Sequence, residues 1–289
     1  MSQPAVQDYF RAFLFEHLDI RGAYVQLHDA WRRMLSGRDY PAPVIGLLGE
    51  LAAVTVLIAA NLKQPGRMTF QLKGEGPVSL LVLDCDEALR IKGMARCAPG
   101  TVAAPVPDLL GHGQLALTLD APGMRHPYQS LVPLHGDSIA TVFEHYLARS
   151  EQQPARLFLA ASETVAAGLL LQKLPGADAR DADGWNRVTQ LAQTLRAEEL
   201  LTLPTVKLLT RVFPEEDIRV YDPRRVVHHC PKDWDKVRRM LRGLGRTECE
   251  AVLAEQGEIR IHDDICNHDY VLDAAALNGV FDDTPETPP

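Results

Sequence analysis

The chain has 289 residues, 46% of them hydrophobic and 24% charged, a composition that suits a globular protein with one sizeable core and a second, smaller unit. A formal net charge of −8 makes nucleic acid a poor default partner, and five cysteines, an odd number, do not build a disulfide framework. No basic segment followed by an apolar run opens the sequence, so a reducing, cytoplasmic setting is expected.

Residues 6–19 carry an extended or short helical pattern, and helical spacing begins near Ala30 and runs to Leu35. Pro41 and Pro43 mark the start of a long helix over residues 44–62, stopped at Pro65-Gly66. Its run over residues 45–60 holds one charge, Glu50, and is shorter than the roughly 20 residues of a membrane span, so it reads as a buried helix. Alternation marks strands at residues 68–72 and 89–95, with a buried strand at 78–83 after the turn Gly74-Glu75-Gly76-Pro77. Residues 115–119 and 129–134 add strands and 139–149 a helix. The apolar runs 157–161 and 166–174 then complete an α+β body over residues 1–178.

Residues 176–184 are polar and rich in breakers, and helical spacing returns with Trp185, Val188, Leu191 and Leu195, then with Val206, Leu209 and Val212. Residues 179–221 are therefore expected to be a helical linker region. A small unit is expected over 222–275, followed by an acidic, Thr- and Pro-rich disordered tail over 276–289. Within the small unit, Trp234, Val237, Leu241 and Leu244 share one helix face closed by Gly245. Thr247 and Glu250 form a capping-box pattern for a second helix. Residues 258–262 and 270–272 pair as a hairpin around a turn at 263–269.

Roughly fifty residues make little core, and at this size a metal or a covalent staple is usually recruited. Cys230 and Cys266 look like half of a zinc site built from two closely spaced ligand couples on two turns. Lys232, two residues after Cys230, and Asp263, three before Cys266, stand where the second ligand of each couple belongs. Cys249 falls on the apolar face of its helix, and Cys85 lies between Asp84 and Asp86, where negative charge disfavours a thiolate. The basic residues between Arg224 and Arg246 read as a solvated face beside an acidic segment, without the interleaved aromatics that stack bases. No P-loop, G-x-S-x-G or H-E-x-x-H motif is present, so an enzyme is not expected.

At this point the chain resembles the redox-regulated 33 kDa heat-shock chaperones of bacteria. The resemblance is carried by Phe15, Arg21-Gly22, Tyr40-Pro41-x-Pro43-Val44 and Leu48-Gly49-Glu50-Leu51. It continues through Gln71-Leu72-x-Gly74-x-Gly76-Pro77, Gly93-x-Ala95-Arg96 and Tyr146-x-x-Arg149-Ser150-Glu151-Gln152. Ala167-Gly168-x-x-x-Gln172, Glu199-Leu200-Leu201 and Val220-Tyr221-Asp222-Pro223 close the series. It implies an ATP-independent holdase that binds unfolding proteins under stress, with an α+β body, a helical linker and a small zinc-ribbon-like domain. Family members hold zinc through C-x-C and C-x-x-C; oxidation releases the metal, pairs neighbouring cysteines, and melts the small domain and linker.

This chain departs from that pattern at the switch, because Cys230 has lost its neighbour to Lys232 and Cys266 to Asp263. Three readings follow. One is a rebuilt zinc site of Cys230, Cys266 and Asp263 with His228, or with His229, His262 or His268 in its place. Another is a single disulfide from Cys230 to Cys266, and the third is a metal-free domain opened by heat alone. No cofactor is the first expectation and zinc the second. A metal-dependent hydrolase using Asp263 and the histidines is the remaining alternative. Expected partners are unfolded client proteins, bound through surface hidden by Trp185, Val188, Leu191 and Leu195, and a second copy of the chain. Neither nucleic acid nor a membrane is expected.

Overall fold

The computed structural model describes residues 8–62, 65–150 and 153–282. The chain divides between His229 and Cys230 into two compact units. The first opens with the hairpin β1 (Tyr9–Phe15) and β2 (Ile20–Leu27), then α1 (Asp29–Leu35) and the long α2 (Ala42–Ala59). A meander of β3 (Arg67–Gly74), β4 (Val78–Cys85) and β5 (Arg90–Cys97) is followed by α3 (Val106–Leu110), β6 (Gly113–Asp120), β7 (Tyr128–Pro133) and α4 (Ile139–Ser150). A second hairpin, β8 (Ala155–Ala161) and β9 (Ala166–Lys173), leads into four short helices: α5 (Ala177–Arg180), α6 (Gly184–Ala192), α7 (Ala197–Thr202) and α8 (Thr205–Val212). Three short strands close the unit: β10 (Ile218–Val220), β11 (Arg224–Arg225) and β12 (Val227–His228).

One sheet runs β10-β1-β2-β9-β8, all antiparallel, with β11 also paired to β1. The other runs β12-β5-β4-β3-β6-β7, antiparallel except where the short β12 joins β5 in parallel. α2 packs against both sheets. Its Leu48, Leu51 and Leu57 share a core with Val25 and Leu170 of the first sheet and Phe70 and Leu83 of the second. A helix apolar on every side has no face to offer water, which is why it sits there. Gly49 permits the approach: a Cβ at that position would lie 2.4 Å from the Ala161 Cβ. Among the described residues α2 is the one helix long and apolar enough to cross a membrane, and it is the core helix of this body. Its single carboxyl, Glu50, is largely removed from water, and burial pushes its pKa up to about 7.

The second unit holds α9 (Trp234–Leu244), α10 (Arg246–Gln256), the hairpin β13 (Ile259–Asp263) and β14 (His268–Leu272), and α11 (Ala274–Asp282). Its small core gathers Leu241, Cys249, Tyr270 and Leu277.

Several expectations need correction. Of the segment at 6–19, Tyr9–Phe15 form the strand β1, the extended one of its two readings, with residues 6 and 7 outside the described residues; its partner β2 carries no clean alternation in the sequence. Residues 218–228, expected at the border of linker and small unit, hold β10, β11 and β12, which join the two body sheets, so the second unit starts later, at Cys230. Residues 276–282 belong to α11 rather than to a disordered tail, because Leu277 and Val280, one helical turn apart, are buried in the small core; residues 283–289 lie outside the described residues. The capping box at Thr247 does not form: the N-cap of α10 is Gly245, two residues earlier, at φ +95°. Only Val237 and Leu241 of the expected α9 face are buried, while Trp234 and Leu244 are exposed.

Candidate functional site: a covered sheet face and a cysteine knuckle

The first sheet is buried on both faces, and the period of two along its strands explains how. In β9, Ala166 and Leu170 point toward α2, whereas Ala167, Leu169 and Leu171 join a second core on the opposite face. In β2, Ala23, Val25 and Leu27 face the α2 side and Ile20 and Tyr24 the other. Phe13 and Phe15 of β1 complete that second apolar surface. Gly22 makes room for it, since a Cβ there would lie 2.1 Å from the Phe13 ring.

The cover is the linker region. Val188 and Ala192 of α6, Leu200 of α7, and Leu208, Leu209 and Val212 of α8 are buried on this face. Among the residues expected to form the cover, Val188 is wholly buried, while Trp185, Leu191 and Leu195 are half-buried against the same core. Val206 is instead exposed, because the buried stripe of α8 runs through Thr205, Leu208, Leu209 and Val212. Sequence reading missed the sheet side of this contact and its anchor at Leu200. The i, i+3, i+4, i+7 spacing of Thr205, Leu208, Leu209 and Val212 was the signal that could have placed α8.

A few polar groups fix the cover in place. The Tyr24 hydroxyl donates to the carbonyls of Leu200 (2.7 Å) and Leu203 (3.1 Å), and burial pushes its pKa upward, so it stays a neutral donor. Gln26 Nε2 donates to the Leu201 carbonyl at 2.8 Å. Arg187 of α6 bridges Asp181 (2.9 Å) and Glu216 (2.8 Å), and Arg211 of α8 pairs with Glu199 of α7. Removing the Tyr24 hydroxyl leaves the Leu200 and Leu203 carbonyls without this donor, at about 1–3 kcal/mol. Tyr24→Phe is therefore expected to speed amide hydrogen exchange in α6–α8 while leaving α2 unchanged. Equal acceleration in both regions would show that the cover does not open by itself.

In the second unit Cys230 and Cys266 are joined by a disulfide, with Cα atoms 5.5 Å apart. The residues standing in for the missing couple members have other partners. Lys232 Nζ donates to the Asp269 carbonyl at 2.9 Å and lies 5.5 Å from the Tyr270 ring centroid. Asp263 Oδ1 accepts from the backbone N–H groups of Ile265 (3.0 Å) and Cys266 (3.2 Å), closing the hairpin turn as an Asx turn does. His268 Nε2 lies 2.6 Å from the Cys230 carbonyl; a carbonyl only accepts, so this nitrogen carries the proton. His262 Nδ1 sits 2.8 Å from Asp269 Oδ1, and this hydrogen bond holds the Asp269 carboxyl below its usual range. The Tyr270 hydroxyl accepts from the Asp233 N–H at 2.8 Å, while its ring meets Trp234 edge-on at 4.9 Å. Sequence reading missed these braces.

Cys230, Cys266 and Asp263 thus come together with His268. His228 belongs to the first unit, where its segment pairs with Ile91 of β5. This donor set does not fit a zinc ion. Two sulfurs bonded to each other offer no thiolate, Lys232 brings a positive charge, and the Asp263 oxygen is engaged by two amides. Among the described residues no group of three or more His, Cys, Asp or Glu side chains is placed to hold a metal. The other thiols are held protonated. Burial raises Cys85, with Asp86 and Asp84 adding to the effect; burial raises Cys97; and burial, then Glu248 and Glu250, raise Cys249.

Comparison with known proteins agrees with this architecture. The model of the Hsp33 protein family matches residues 8–273. A 33 kDa chaperonin of Methylobacillus flagellatus is 39% identical over 278 residues, covering 96% of this chain and 95% of the relative. One from Cronobacter sakazakii is 38% identical over 281 residues, covering 96% of each. The crystal structure of the 33 kDa chaperonin of Thermotoga maritima superimposes with a TM-score of 0.79 over 94% of this chain and 97% of that one, at 20% identity, and so shares its fold. With a family match that spans the body, the linker helices and the knuckle, the chain belongs to the Hsp33 family of chaperones.

Proposed function

We propose that this chaperone is an ATP-independent holdase whose client surface is the first sheet's face beneath α6–α8. The observation that carries the reading is that this face is apolar along β1, β2 and β9 yet covered only by short helices. Helices of six to nine residues are not stable alone and depend on the contact they make. Heat or another stress that loosens them uncovers a contiguous apolar area, the kind of surface that binds unfolded chains. Clients are expected to be unfolding proteins of the cytoplasm, and no catalytic step is required. A second copy of the chain as partner is checked by light scattering on the same samples.

The experiment is suppression of aggregation of a heat-unfolded client without nucleotide. Suppression near a one-to-one ratio, appearing as temperature rises, is expected. Failure at every ratio and temperature sinks the holdase reading.

A further inference from the structure

We infer that the Cys230–Cys266 disulfide replaces zinc as the staple of the second unit, so that redox control of this unit runs in the opposite sense to a zinc-thiolate switch. Oxidation holds the unit folded and reduction loosens it. The functional consequence rests on the holdase reading above; the structural claim does not.

Two independent features point the same way. The bond spans 36 residues, from the segment before α9 to the turn of the β13–β14 hairpin, so it closes α9, α10 and β13 into one loop and leaves β14 and α11 outside it. Cross-linking a loop of that length removes much of the freedom of the unfolded chain. In addition, the two couple positions without cysteine have become braces of the same knuckle. Lys232 ties the incoming segment to Asp269 at the start of β14, and Asp263 organises the turn amides up to Cys266 itself. His268 adds a tie to the Cys230 carbonyl. These contacts hold Cys230 and Cys266 facing each other without a metal.

The chemistry balances with peroxide as oxidant. The Cys230 and Cys266 thiols give up two protons and two electrons to form one S–S bond, and one hydrogen peroxide becomes two waters. A dithiol reductant returns both protons and electrons and is itself oxidised to a disulfide. The three remaining cysteines do not compete readily. Cys85 and Cys249 are buried, and burial disfavours the thiolate at Cys97 as well.

The test compares the full chain after peroxide and after dithiol reductant, with metal chelated, by peptide-resolved hydrogen exchange and thiol counting in denaturant. After peroxide, Cys85, Cys97 and Cys249 are expected to label, and a linked peptide is expected to join Cys230 to Cys266. Reduction should speed exchange across α9, α10 and the β13–β14 hairpin by roughly 100- to 1,000-fold, with α2 unchanged. The variant carrying both Cys230→Ser and Cys266→Ser should exchange at the fast rate under either treatment. Equal rates in the two states, faster exchange after peroxide, or slow exchange restored by zinc to a reduced sample prepared without chelator would overturn the inference. Client aggregation is followed on the same samples. Failure to suppress it, with the exchange pattern intact, overturns the holdase reading and leaves the staple standing; the opposite combination sinks the staple alone.

Discussion

Leu208→Ala is expected to lower the temperature at which client binding appears, with the body still folded. Leu208 is wholly buried in α8, inside the core formed by the linker helices and the outer face of the first sheet. Truncating a buried leucine removes about 2–5 kcal/mol, the spread depending on how far neighbours collapse into the space. Because α8 is short and its contacts lie on the cover, most of that loss should fall on the opening of the cover. The open population then rises about 30-fold or more. The measurement pairs client aggregation over a temperature series with hydrogen exchange. Faster exchange confined to α6–α8, together with suppression beginning at a lower temperature, is the expected pair of results. If α2 exchanges faster to the same extent, the cover and body open as one, and the assignment of a separable cover fails.

Glu50→Gln is expected to stabilise the body at neutral pH. Burial raises the Glu50 pKa from an ordinary 4.5 to about 7, so the folded chain keeps the proton while the unfolded chain releases it. The sign follows directly. Below about pH 4.5 both states are protonated and the carboxyl imposes no penalty. Between pH 4.5 and about 7 the unfolded state ionises first, and stability falls as pH rises; above about 7 the penalty is constant. Its full size is up to about 3 kcal/mol. Denaturant melts of wild type and Glu50→Gln should differ by about 2–3 kcal/mol at pH 8 and by under about 1 kcal/mol at pH 5. A difference that does not shrink on acidification would show that the Glu50 charge is not its source.

How much of this was legible in the chain depends on whether a residue's role is local. α2 was legible because an apolar run interrupted by one charge, between Pro43 and Pro65, has few other interpretations. The apolar run of β9 was legible as part of the body; that it faces two cores was not, since a run without alternation does not say what lies on either side. β2 escaped because Arg21, Gly22 and Gln26 break its apolar pattern, although Gly22 and Gln26 both serve the contact with neighbouring elements. The α11 helix was hidden by the acidic, Pro-rich stretch that follows it. Its buried Leu277 and Val280 contact residues far away in sequence. At the knuckle, Cys230, Cys266 and Asp263 could be singled out, because ligand spacing is a local pattern. The bracing roles of Lys232, Asp263 and His268 could not, because each binds backbone groups that any sequence would supply.

On the proposed holdase reading, the two-faced sheet has one more consequence, for what a client bound beneath the cover can do. β2 and β9 lie in the interior of their sheet, hydrogen-bonded on both sides, and would stay so when the cover lifts because α2 still supports the opposite face. The uncovered area therefore offers side chains and no unpaired backbone along those strands. Attraction to such a surface is non-directional and indifferent to the client's sequence. It also lacks the row of free amides and carbonyls that lets a captured segment add as a further strand and seed a growing β aggregate. A chaperone built this way can be adhesive without acting as a template.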